Sequence, residues 1–185
     1  MADLSYAEIS KLLKYDAETG KLYWLPRSAD MFPQVTAFKG GPEMRAKTWN
    51  ARYAGKEAFT ALIAKGYRQG GILNRGYLAH RVIWLLETGD WPTHQIDHIN
   101  GDPLDNRICN LRDVPNSENA KNMCVSRRNK SGVTGVCWDK SRGSWLVYVG
   151  KKYVGTYRHK DAAIEARKLA EKDHGYHVNH GRLQE

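Results

Sequence analysis

The apolar positions of this chain recur with two periods, and together they predict short helices alternating with short strands. Ile9, Leu12 and Leu13 follow Ser5, a good N-cap, at helical spacing, so a helix is expected from Tyr6 to Tyr15. Glu18-Thr19-Gly20 reads as a turn, and Lys21-Leu22-Tyr23-Trp24-Leu25 as a strand. Residues 26–57 have weak periodicity and scattered Gly and Pro, which predicts loops. Tyr67 to Leu73 and Tyr77 to Ala79 predict a hairpin around Asn74-Arg75-Gly76. His80 to Thr88 predicts a helix burying Val82, Ile83, Leu85 and Leu86, ended by Gly89 with Pro92 beyond it.

The pattern then shortens. Gln95 to Ile99 reads as a strand in which Ile96 points opposite to Asp97, and Asn100-Gly101-Asp102-Pro103 is turn chemistry. A polar loop through Asp105-Asn106-Arg107 leads to a second strand, Ile108 to Val114, and to a helix from Ser117 to Met123 capped by Asn116 or Ser117. Strand, loop, strand and helix in under thirty residues is too little for a core of its own, so the helix at 80–88 is expected to support it. A basic stretch, Ser126 to Gly132, reads as a linker. Three strands follow, Thr134–Trp138, Ser144–Val149 and Lys152–Tyr157, then a helix from Lys160 to Gly175. Its small face, Ala162, Ala163, Ala166, Leu169 and Ala170, allows close packing on a sheet.

Composition narrows the class. The 185 residues carry 29 Lys+Arg against 20 Asp+Glu, a net charge of +9, and 6 Trp with 10 Tyr. So many large apolar groups call for a folded core rather than a disordered tail, and the length allows one or two domains. No apolar run is long enough to cross a bilayer, and the amino-terminus has no secretory pattern, so no membrane partner is expected. Cys109, Cys124 and Cys137 form neither a disulfide framework nor a CxxC zinc pair, and the first two read as buried small apolar groups; a reducing, cytoplasmic setting is expected. The charge is uneven: residues 1–76 sum to +5, 77–124 to −3 and 125–185 to +7. Basic flanks suit a phosphate backbone, and an acidic middle suits a cation.

That acidic middle holds the chemistry. Asp97 and His98 are adjacent at a strand end, Asn110 comes 12 residues later and Asn119 a further 9. Taken singly, these are turn formers, caps and satisfied surface groups. Taken together, they suit metal-assisted phosphodiester hydrolysis. Carboxylate and amide oxygens are hard ligands for magnesium or manganese, and a neutral imidazole takes a proton from attacking water. His80 reads as a packing residue of its helix, and His94 as structural or near substrate.

Asp97-His98-Ile99-Asn100-Gly101, Leu104-Asp105-Asn106-Arg107, Asn110-Leu111-Arg112 and Glu118-Asn119 resemble the HNH endonucleases of phages and homing introns. Lys65-Gly66-Tyr67, Tyr77 to Arg81 and Gly89-Asp90-Trp91-Pro92 extend the likeness over about residues 65–123, and residues 1–24 resemble the start of such phage proteins more weakly. The resemblance implies a ββα-metal fold. It implies His98 as general base, Asn110 as a brace that keeps the loop and His98 oriented, and Asp97 and Asn119 as ligands of one divalent cation. Asn rather than His at 119 points to magnesium or manganese and against zinc. The implied products are a 5′-phosphate and a 3′-hydroxyl.

Ser131 to Val136, Trp145 to Val149, Val154-Gly155-Thr156-Tyr157 and Asp161-Ala162-Ala163 resemble the APETALA/ethylene-response-factor type of DNA-binding domain over about residues 129–176. That family backs a three-stranded antiparallel sheet with one helix and lays the sheet in the major groove. Cys137 and Trp138 depart from the plant pattern, so plant base preferences do not carry over. Strand alternation leaves one face for DNA, with Trp138, Lys140, Arg142, Trp145 and Lys152 as candidates, and Arg127, Arg128 and Lys130 could track the backbone.

The expectation is therefore an α+β chain: an accessory region (1–64) giving α/β support, an HNH nuclease domain (65–125), a basic linker (126–132) and a DNA-binding domain (133–185). The expected activity is metal-dependent cleavage of double-stranded DNA, of the homing type, with no small-molecule cofactor, in the host cytoplasm if a phage encodes the chain. One active site per chain nicks; cutting both strands calls for a homodimer or a second encounter. A non-enzymatic DNA-binding regulator is the alternative, and an RNA-directed protein a third, for which no dedicated signature is present.

Overall fold

A computed structural model describes residues 3–34 and 40–183. The chain is α+β and divides into two compact units. The first is Met1–His98 with Asp102–Asp113, and the second is Ile99–Gly101 with Val114–Glu185. Among the described residues no helix is long and apolar enough to cross a membrane.

The first unit opens with a single-turn helix, α1 (Tyr6–Ile9), whose Ser5 and Glu8 form a reciprocal capping box. The expected helix does not continue to Tyr15. Leu13–Asp16 is strand β1, paired antiparallel with β2 (Lys21–Trp24) in the register Leu13↔Trp24 and Tyr15↔Leu22. Both periods fit Leu12-Leu13; the partner strand across the Gly20 turn decides for β. Residues 41–53, expected as loop, form helix α2 (Gly41–Tyr53). It buries only Ala46, so it shows no apolar stripe to the sequence reader. It is held from outside instead. Asn50 bonds the Arg27 amide at 2.8 Å and its carbonyl at 2.9 Å, and Trp49 packs edge-on to Trp24 at 5.7 Å with the Arg27 guanidinium over its ring at 4.0 Å.

Strands β3 (Glu57–Ala58) and β4 (Ala61–Leu62) lead to the hairpin of β5 (Arg68–Ile72) and β6 (Arg75–Leu78). Its turn is Leu73-Asn74, both at positive φ, the geometry that matches strand twist. Helix α3 (Ala79–Thr88) buries Val82, Ile83 and Leu85 and ends at Gly89, φ +88°. Next come β7 (Gln95–His98) and, after a 3-10 turn at Ile108–Asn110, β8 (Leu111–Val114); these two strands pair. The expected strand from Ile108 thus begins three residues late. One apolar cluster, from Leu4, Ile9 and Leu13 through Ile72, Val82, Ile83 and Leu85 to Ile96 and Leu111, joins these elements. α3 supports β7 and β8 through this shared core, as their small size requires.

The second unit contains the short helix α4 (Asn116–Asn119), a 3-10 turn at Ala120–Asn122, and the sheet β9 (Val136–Asp139), β10 (Ser144–Val149), β11 (Lys152–Tyr157) in the order β11-β10-β9. Helix α5 (Lys160–Asp173) packs on it, with Val136, Val147 and Ala163 at the centre. Its buried face is Ala163, Arg167 and Ala170, while Ala162 and Leu169 are exposed. The expected all-apolar face is displaced because Arg167, 1% exposed, crosses it: it donates to the Tyr148 carbonyl at 2.6 Å and lies 2.9 Å from Glu171, an ion pair bent too far for a hydrogen bond.

Candidate active site

Strand β7 carries three buried side chains in succession. Ile96 enters the apolar core, while Asp97 faces Arg112 of β8, whose Nε and Nη2 donate to Oδ2 at 2.9 and 2.7 Å. The entry to β7 is tied to β8 as well: Asp113 accepts from the Thr93 and His94 amides, each at 2.8 Å. His94 itself is exposed and 3.8 Å from the Asp113 carboxylate.

His98 ends the strand, 4% exposed. Its Nε2 lies 3.0 Å from the side-chain oxygen of Asn106, and its ring stacks on Tyr67 at 5.8 Å and meets the edge of His80 at 5.3 Å. Burial pushes the His98 pKa down, while the Asn106 bond and the charges of Asp97, Asp102 and Asp105 pull it up; burial prevails. His80 is lowered further, to about 3, by burial first and then by His98 and Arg81, and its Nδ1 is buried with no hydrogen-bond partner. Two neutral imidazoles therefore sit side by side at neutral pH. A neutral ring is the form that accepts a proton.

The loop between β7 and β8 is fixed at several points. Asn110, buried, donates its side-chain N–H to the Asp105 carbonyl at 2.8 Å. The Tyr15 hydroxyl accepts from the Ile108 amide at 2.8 Å and donates to the Asn106 carbonyl at 3.3 Å. Gly20, at φ +70°, lies so close that a Cβ would stand 2.7 Å from the Arg107 nitrogen. Sequence reasoning placed Asn106 in the motif without a role and read His80 as packing alone. It gave Tyr67, Tyr15 and Arg112 no role. The Asp-Asn-Arg string was the available signal for Asn106, but type and spacing do not tell a buried Asn from a turn Asn.

Asn119 belongs to the second unit, half-buried at the last residue of α4. A hard divalent cation fits the donor chemistry here: Asp97 offers a carboxylate, and Asp102 and Asp105 add to the negative field. Among the described residues no group of three or more His, Cys, Asp or Glu side chains is placed to hold a metal, so such an ion would draw further ligands from amide oxygen, water and substrate.

In the second unit, register sorts the candidates for DNA. Trp145 pairs with Trp138 and Val147 with Val136, so both tryptophans share the helix-packed face. Trp145, expected toward DNA, packs against the core, because alternation fixes it beside Val147; Trp138 lies next to it at 5.1 Å and stays 46% exposed. The opposite face carries Cys137, Leu146, Thr156, Tyr148 and Tyr153. Lys140, Arg142 and Lys152 are exposed at the strand ends, as are Arg127, Arg128 and Lys130 in a turn ordered by Asn129, whose side-chain oxygen accepts from the Ser131 and Gly132 amides at 2.9 and 2.8 Å. Cys109, expected to be buried, is exposed, and Cys124 is half-buried.

Residues 77–121 match the HNH endonuclease family, a segment that runs through Asp97, His98, Asn110 and Asn119. The chain thus carries an HNH endonuclease domain there. It is also similar to Protein 3.8 of Escherichia phage T7, 39% identical over 67 residues, which make up 36% of this chain and 55% of that protein. The chain spans about half the length of this curated relative. No solved structure matches.

Proposed function

We propose that the chain is a metal-dependent DNA endonuclease, of the homing type, that hydrolyses phosphodiesters with His98 as general base. The observation that carries this reading is the buried Asp97–His98 pair at the end of β7, with the imidazole kept neutral, inside the segment that matches the HNH endonucleases. His98 takes the proton from a water aligned on phosphorus. Asn110 holds the loop that shapes the pocket. Asp97 and Asn119 are the residues that would bind magnesium or manganese, and the bound ion would supply neutralisation of charge on the phosphate and on the departing oxygen. Arg112 aims the Asp97 carboxylate through two charge-assisted hydrogen bonds.

The second unit serves, in this reading, to hold duplex DNA. Its three-stranded antiparallel sheet backed by one helix supports the resemblance to ethylene-response-factor domains. Arg127, Arg128, Lys130, Lys140, Arg142 and Lys152 would contact phosphates or guanine edges, whereas Trp138, on the helix-packed face, would not enter the groove with the sheet. Trp145 would stiffen the sheet from its core side.

Plasmid DNA incubated with the protein and magnesium or manganese tests the reading. Wild type is expected to nick or cut, and His98→Ala to bind without cutting. Asp97→Asn and Asn119→Ala are expected to shift the metal requirement to higher concentration. Tight binding with no cleavage of any DNA would favour a non-enzymatic DNA-binding regulator instead.

A further inference from the structure

The Asn106 side chain has the attributes of a residue placed for one purpose. It is 1% exposed, yet it lies in a loop where asparagines are normally solvated turn formers. Its Nδ2 points to the Leu104 carbonyl at 3.4 Å, which orients the amide so that Oδ1 meets His98 Nε2 at 3.0 Å. An amide oxygen only accepts, so the bond requires a proton on Nε2. In a neutral imidazole the other nitrogen then carries the lone pair.

The backbone that presents Asn106 is pinned from the amino-terminal hairpin. Tyr15 donates to its carbonyl at 3.3 Å, and Gly20 packs against the Asn106–Arg107 peptide so closely that a Cβ would fall 2.8 Å from the Asn106 carbonyl carbon. The imidazole is confined as well, 4% exposed, stacked on Tyr67 and edged by His80.

We propose that Asn106 is the positioning residue for His98, locking it in the Nε2–H tautomer so that Nδ1 is the nitrogen that takes the proton from water. This rests on the reading of His98 as general base. The amide fixes the tautomer with a neutral partner; a carboxylate in its place would also favour the charged ring, which is useless as a base. The amino-terminal β1–β2 hairpin thereby acquires a role in catalysis at one remove, as the support of Asn106.

Long-range nitrogen–proton correlation spectra of the full chain labelled with 15N-histidine, at neutral pH, test this directly. The His98 signals are identified by their loss in His98→Gln. A single Nε2–H tautomer is expected; an Nδ1–H pattern overturns the proposal. In turnover, Asn106→Leu is expected to lower kcat about 10²-fold with KM for DNA within about twofold, and to lose the single tautomer. Asn106→Asp, which keeps an acceptor oxygen in place, is expected to keep the proton on Nε2 and to cut faster than Asn106→Leu, but more slowly than wild type because the carboxylate also favours the charged ring. Asn106→Leu cutting at the wild-type rate, or keeping the tautomer unchanged, overturns the proposal; if that variant does not fold, the wild-type and Asn106→Asp spectra decide. A His98→Ala protein that still cuts overturns the general-base reading itself, whereas inactive His98→Ala beside fully active Asn106→Leu overturns only the role of Asn106.

Discussion

Acidification should unfold the first unit, with His80 as one identifiable cause. A free imidazole titrates near 6.5, whereas His80, 5% exposed and wedged between Tyr67 and His98, titrates at about 3. Between these values the unfolded chain binds a proton that the folded chain refuses. Stability therefore rises with pH through this window and is lost as pH falls from 6.5 toward 3. At pH 4.5, two units below the free value at about 1.4 kcal/mol each, His80 alone costs about 3 kcal/mol. His98 is lowered in the same direction and adds to the loss. His80→Leu isolates the first share. Its cost at pH 7.5 should be small, because the Nδ1 it removes is buried without a hydrogen-bond partner. Urea unfolding at pH 7.5 and 4.5 reads both proteins through tryptophan emission, which the first unit dominates with Trp24, Trp49, Trp84 and Trp91. Wild type should lose about 3 kcal/mol more than His80→Leu between the two pH values. Equal losses would refute the assignment of a buried, neutral His80.

Three substitutions probe other contacts. Arg112→Met removes the guanidinium from a carboxylate only 8% exposed and should destabilise by about 3 kcal/mol in chelator, read by urea unfolding; stability equal to wild type would show that the pair is not buried as described. Gly20→Ala puts a Cβ against the Asn106–Arg107 peptide at φ +70° and should cost about 1–3 kcal/mol while lowering cleavage more than DNA binding; an unchanged melting temperature and rate would deny the hairpin its supporting role. Arg167→Met strips a fully buried guanidinium from Glu171 and from the Tyr148 carbonyl and should destabilise the second unit by about 3–5 kcal/mol, followed by the indole signals of Trp138 and Trp145; a loss below about 1 kcal/mol would mean that packing alone holds α5.

Elements whose stability is local were legible in the sequence. α3 shows an apolar stripe and a Gly89 stop, and β10 and β11 were readable to the residue from alternation between turn signals. Elements decided by distant partners were not. β1 resembles a helix until β2 folds back across Gly20. α2 has no stripe because it is held by Arg27 and Trp24 rather than by a buried face of its own. α5 was read with a displaced buried face because periodicity scores Arg167 as polar, whereas the Tyr148 carbonyl, Glu171, the His180 ring and the Tyr176 face make its burial tolerable.

The candidate site divides along the same line. Asp97, His98 and Asn110 stood out because their residue types are scarce together at that spacing, and Asn110 braces its loop through a bond five residues back. Asn106, Arg112 and Tyr15 stayed hidden because their partners lie across the loop or in another hairpin, where sequence distance carries no information. The segment charge of −3 was informative for a reason visible only in three dimensions: Asp97, Asp102 and Asp105 all act on His98. Their charges would keep the ring protonated in water, which would spoil a base. Burial outweighs them, so in the proposed reading the same pocket would be negative enough to attract a cation and yet dry enough to leave the imidazole neutral. An acidic surface with an exposed histidine would satisfy the first requirement and fail the second. Opening that pocket, for instance by Tyr67→Ala, should therefore raise the pH at which cleavage sets in, and a pH–rate profile unchanged in that variant would contradict burial as the controlling influence.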